Sequence, residues 1–164
     1  MKNKLLIRAL FSTLVATCSA IQSMSASAHS YTLGSIEIGH PYAPPALVVQ
    51  PTAAAYFKSL RNTGAQADTL LSASTPVASR VEIHAMKLDV TLMQMREISS
   101  LSLPAKSDIN MSAGAGQHLM LIGLKKPLIE GERFTMTLKF ERAGVVTVDV
   151  VVQAVKSGAA THQH

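Results

Sequence analysis

The chain has 164 residues, a formal net charge of +5, one cysteine, and 48% hydrophobic but only 4% aromatic residues. This is enough for one domain with its own core, and a lone cysteine excludes an internal disulfide and multi-thiolate metal sites. There is no basic run and few rings to stack on bases, which argues against nucleic-acid binding.

Lys2, Lys4 and Arg8 open the chain, an apolar run follows from Ala9 to Ala20, and Ala26-Ser27-Ala28 offers a small-residue cleavage pattern. These predict a secretory signal peptide over 1–28, because the apolar run is too short to span a bilayer. A lipoprotein would use Cys18, after Val15-Ala16-Thr17, but Thr fits poorly just before a lipidated cysteine. The segment carries three of the 15 Lys and Arg and none of the 10 acids, so the exported chain would carry +2. It would also lack Cys, which excludes a blue-copper centre and a Cys nucleophile. Export without disulfides fits a periplasm, with no membrane insertion after cleavage.

Short strands with turn signals between them follow. Ser35–Ile38 alternates; His40–Pro45 is Pro-rich and reads as a loop. Ala53–Arg61 reads as a strand ended by Asn62-Thr63-Gly64, and Thr69–Ser74 as another, stopped by Pro76. Arg80–Leu88 and Thr91–Ile98 predict a hairpin. Pro104–Gly116 reads as a polar loop, Gln117–Ile122 as a short strand and Lys125–Glu132 as a connection. Phe134–Phe140 alternates with Phe134, Met136, Leu138 and Phe140 inward, and Val145–Val152 places Val146, Val148, Val150 and Val152 on one face. Period-two alternation with β-branched residues predicts an all-β antiparallel sandwich or barrel. The β domain is expected over 29–155, followed by a flexible, polar tail over 156–164.

Chemistry concentrates in Val81-Glu82-Ile83-His84-Ala85-Met86, Met93-Gln94-Met95 and His118-Leu119-Met120. Imidazole and thioether are soft, neutral donors suited to Cu(I). On a strand, Glu82, His84, Met86 and Leu88 share one face, and Val81, Ile83 and Ala85 the other, core-facing one. A hairpin closed around Asp89-Val90 sets His84 opposite Met95, Met86 opposite Met93, and Glu82 opposite Glu97, an unfavourable like-charge pair. His118 and Met120, two apart, point together. A strand Met is most often core filling, but three of the six Met beyond residue 28 lie within eleven positions of His84, and a fourth follows His118 by two.

These segments resemble the periplasmic copper chaperones called PCu(A)C, whose signature is a His, ten residues, a Met, 21 residues, then His-x-Met. Here ten residues separate His84 from Met95, and 22 separate Met95 from His118. The additional residue falls in Glu97–Gln117, a stretch expected to be loop, where an insertion is cheap. Ala55-Tyr56, Asn62-Thr63-Gly64, Met93-Gln94-Met95-Arg96, His118-Leu119-Met120-Leu121-Ile122-Gly123-Leu124 and Glu141-Arg142-Ala143-Gly144 also look like family positions. The resemblance covers about Ile36 to Val152. It implies a cupredoxin-like β-sandwich or barrel with Greek-key connections. It further implies a periplasmic copper chaperone, not an enzyme, binding Cu(I) through His84, Met95, His118 and Met120. Such a monomeric carrier would deliver copper to Sco-type proteins or cytochrome c oxidase subunit II for CuA-site assembly. Met86 and Met93 would flank the site as shielding or substitute ligands. His162 and His164 in the tail, or His29 at a mature N-terminus, are candidates for Cu(II), and His40 is expected to be structural. The rival reading is a metal-free exported β-sandwich binding module.

Overall fold

A computed structural model describes residues 30–89 and 92–155. The expected signal peptide over 1–28, His29, and the tail with His162 and His164 lie outside the described residues. Among the described residues no helix is long and apolar enough to cross a membrane.

Among the described residues eleven strands form: β1 (Ser30–Leu33), β2 (Ile36–Ala43), β3 (Thr52–Asn62), β4 (Asp68–Ser74), β5 (Ala78–Asp89), β6 (Leu92–Ile98), β7 (Leu101–Leu103), β8 (Ser107–Met111), β9 (Gln117–Leu124), β10 (Arg133–Phe140) and β11 (Val145–Val152). They pair in the order β6-β5-β9-β3-β2-β11-β10-β4-β7, with β1 added to β2 and β8 to β3. The fold is all-β and nearly closed, as the alternation predicted. All pairs are antiparallel except β11 with β2, which meet at Val151–Tyr42 and Val152–Ala43.

β3 joins the two layers. Its first half, Thr52–Ala55, pairs with β9, and its second half pairs with β8 and, on the other edge, with β2. Eleven residues are long enough to serve both layers. Phe57 and Leu60 are fully buried between them with Ile38, Leu119, Leu121, Met136, Leu138 and Val150. Phe134, Met136, Leu138 and Phe140 all point inward, as expected, and so do Val148, Val150 and Val152.

Two loops expected from composition are partly strand. β2 runs on through His40-Pro41-Tyr42-Ala43 and ends before Pro44. This is allowed because His40 takes φ 45° and leaves the pairing there, while Pro41 and Tyr42 face Phe57 and Tyr56. β8 lies inside Pro104–Gly116, and β7 just before it. Both alternate, with Leu101, Leu103 and Met111 buried, but Ser, Asp and Asn in β8 hide the period in turn-like composition. Of the expected loop between Met95 and His118, the stretch from 112 to 116 remains a turn beside the site, with Gly114 and Gly116 at φ 85° and 95°.

Candidate metal centre

β5 lies between β6 and β9, and these three strands carry all four expected Cu(I) ligands. Between β5 and β9 the register pairs His84 with His118 and Glu82 with Met120. Directly paired residues project to the same side of a sheet, so Glu82, His84, His118 and Met120 share one face. The opposite face holds Ile83, Leu119 and Leu121 in the core. The alternation of β9 therefore has a physical cause: odd positions fill the interior and even positions face the site.

The β5–β6 register differs from the one expected. Met86 pairs with Met95, His84 with Glu97, and Asp89 with Leu92, a register two residues away from the one expected for a turn at Asp89-Val90. The shift corrects the direct pairing of His84 with Met95 and of Met86 with Met93, and it removes the Glu82–Glu97 clash. Because the shift is by two residues, the face of every side chain is preserved. Met95 still projects on the side of His84, now diagonal to it. All four expected ligand residues thus lie on one face of three adjacent strands.

Their surroundings grade from buried to open. His118 is only 7% exposed, whereas Met95 and Met86 are 40% and 44% exposed. Ala54 pairs with Met120 across β3 and β9, so a small side chain stands opposite the thioether residue. Tyr56, one alternation along, lies 5.8 Å from the His118 ring, and the His84 and His118 rings are 5.5 Å apart. The Tyr42 ring stacks on Tyr56 at 5.4 Å, continuing an apolar wall behind His118. Burial, with Tyr42 beside it, pushes the Tyr56 phenol up, so it stays neutral.

Glu82 was not among the expected site residues. Its carboxylate accepts from His84 Nε2 at 2.9 Å and from Arg80 at 2.7 Å. These bonds, that to His84 first, hold its carboxyl below the usual range. The sequence signal is the alternation Arg80-x-Glu82-x-His84, three charged or titratable groups on one strand face. Burial, and then the neighbouring His84, push His118 below the ordinary imidazole value. Two ring nitrogens, His84 Nδ1 and His118 Nε2, are buried without a hydrogen-bond partner. Unpaired buried acceptors are costly, and a soft cation would satisfy both. Among the described residues no three His, Cys, Asp or Glu gather into a metal cage, so thioethers are the donors available to complete a set. Met111 and Met136, by contrast, are fully buried core. His40 bonds Gln153 at 3.1 Å and serves structure, as expected.

The family model described as "Putative lipoprotein LpqE-like" matches residues 36–152. The chain belongs to the LpqE-like family. This LpqE-like chain is 32% identical over 100 residues to "Putative lipoprotein Lxx21020" of Leifsonia xyli subsp. xyli (strain CTCB07), an alignment that spans 60% of each protein. The copper-bound PCuAC domain from PmoF2 superposes with a TM-score of 0.66 at 29% identity, over 77% of this chain and 99% of that domain. The solution structure of CuI-DR1885 from Deinococcus radiodurans gives 0.61 at 26% identity, over 81% and 86%. The PCuAC-type resemblance seen in the motifs therefore extends to the whole β domain.

Proposed function

We propose that this LpqE-like chain is an exported copper chaperone that carries Cu(I) on His84, Met95, His118 and Met120. The observation that supports this most directly is the β5–β9 register, which pairs His84 with His118 and leaves a buried, unpartnered nitrogen on each ring. Copper in similar domains of 26–29% identity agrees with it. Two imidazoles and two thioethers form a neutral, soft set that favours the monovalent ion. Copper is cargo here, and the protein acts as a carrier rather than an enzyme.

The exposure gradient suggests how cargo leaves. A thiolate-bearing acceptor would first displace the exposed Met95, then Met120, and last the enclosed His118. Sco-type proteins and cytochrome c oxidase subunit II are acceptors of the required chemistry. The proposed chain organisation is a signal over 1–28, a carrier domain over 29–155 and a tail over 156–164, with the protein periplasmic and monomeric. The lipoprotein description of the family and of the Leifsonia relative favours export; lipidation at Cys18 is the alternative to cleavage after Ala28, and would begin the mature chain at Cys18. Cu(II) on His162 and His164, or on His29, is a separate proposal tested by titrating with and without the tail.

The deciding experiment is a Cu(I) titration of the protein lacking 1–28 against a competing chromophoric chelator. One tightly bound equivalent is expected. His118→Ala and Met120→Ala should each weaken binding by at least tenfold while the domain stays folded. Failure of the wild-type protein to compete for Cu(I) would favour the metal-free binding module instead.

A further inference from the structure

Resting on the copper reading above, we infer that Glu82 is a positioning residue that fixes the ring of His84 so that its Nδ1, not its Nε2, is offered to the cargo. The argument starts from hydrogen-bond chemistry. A carboxylate can only accept, so at the 2.9 Å contact His84 Nε2 must carry the hydrogen. A neutral imidazole then has its lone pair on Nδ1, and Nδ1 is the atom buried without any partner. His118 presents the other choice, with Nε2 as its unpartnered buried atom. The two histidines are thus offered through different nitrogens.

Glu82 is itself held. Arg80 donates from both Nε and a terminal nitrogen to Oε1, each at 2.7 Å, leaving Oε2 for His84. The three groups lie two residues apart on β5, so strand geometry alone aligns them. Carboxylates that accept from the outer nitrogen of a ligating histidine fix its tautomer and orientation, and their loss typically weakens metal affinity about 10–100-fold. Glu82 also faces Met120 across the β5–β9 pair. Its attachment to His84 and Arg80 accounts for this acid beside the soft, neutral donors.

The test is long-range 1H–15N correlation spectroscopy of the uniformly 15N-labelled protein lacking 1–28. Without metal, His84 should appear as the Nε2–H tautomer. Glu82→Ala should relax it to a mixture, and Glu82→Gln, whose carbonyl still accepts, should restore it. On adding one equivalent of diamagnetic Cu(I), His84 Nδ1 and His118 Nε2 should be the nitrogens that shift as metal-bound. Affinity should fall about 10–100-fold in Glu82→Ala and stay within a few-fold of wild type in Glu82→Gln. An Nδ1–H tautomer of His84 in the free protein, or metal on its Nε2, overturns the inference. So does wild-type affinity in a folded Glu82→Ala variant. If the wild-type protein takes up no Cu(I), the carrier reading fails, and the metal-free tautomer spectra still decide the role of Glu82.

Discussion

His118 sits where burial and chemistry pull on the same group. Its ring lies between Tyr56 and His84 and is almost fully enclosed, and that enclosure, followed by the neighbouring imidazole, lowers its pKa from 6.5. The unfolded chain therefore takes up a proton at this histidine before the folded one does. Stability contributed by the neutral ring is intact above about pH 6.5 and declines as pH falls from there towards the lower native value. Melting curves of the metal-free protein at about pH 7.5 and about pH 5.5 should show the loss, and His118→Leu should flatten it. An equal pH response in the variant would remove His118 as the cause. The same shift bears on cargo. Protons compete with Cu(I) for the His118 lone pair, so Cu(I) affinity should fall as acid protonates this ring, which burial delays relative to a free imidazole.

At the scale of elements, β9 has to satisfy two demands, filling the core with Leu119 and Leu121 while presenting His118 and Met120 to the site. It ends in a kink at Gly123, with φ 68°, where the amides of Gly123 and Leu124 both reach the Pro51 carbonyl. A Cβ at this position would meet Ser79 Oγ at 2.8 Å. Gly123→Ala should therefore cost about 1–2 kcal/mol in denaturant unfolding, mostly from the left-handed backbone. Cu(I) affinity should be nearly unchanged, since the strain lies three residues beyond Met120. A variant as stable as wild type would show that the kink relaxes freely. The face of each β9 residue was legible in the sequence because alternation with period two survives any even shift of register. The β5–β6 pairing was not legible to the same depth. Nothing in Asp89-Val90-Thr91 dictates which two residues turn, so the direct partner of His84 was misplaced while its face was right. Glu82 was missed for the same reason: in the wrong register it faces Glu97, and its real partners, Arg80 and His84, are on its own strand.

Across the whole molecule the proposed copper face and the closure of the barrel are built from different residues. The all-β architecture could be read from the valine ladder of β11 and the aromatic ladder of β10. The pairing that closes the sheet could not, because β11 meets β2 in parallel across more than 100 residues of chain. Asp68 secures a different junction of the same barrel. Buried at the start of β4, it accepts from the amides of Thr69, Arg142 and Ala143 and so ties β4 to the β10–β11 turn. Burial pushes its carboxyl up, but the three amides and Arg142 outweigh burial and hold it below 3.8. Its contribution is therefore present above the unfolded value and is lost as pH falls through the lower native one. Asp68→Asn replaces one charged acceptor oxygen with a donor, and should destabilise the protein at neutral pH by about 1.5–3 kcal/mol. The gap to wild type should close in acid below about pH 3.8, and stability curves that stay parallel through that acid range would refute the assignment. Because Asp68 belongs to β4, outside the β6-β5-β9 strands, the folded variant should bind Cu(I) as wild type does. A stability loss accompanied by unchanged affinity would separate what holds the barrel together from what holds the metal.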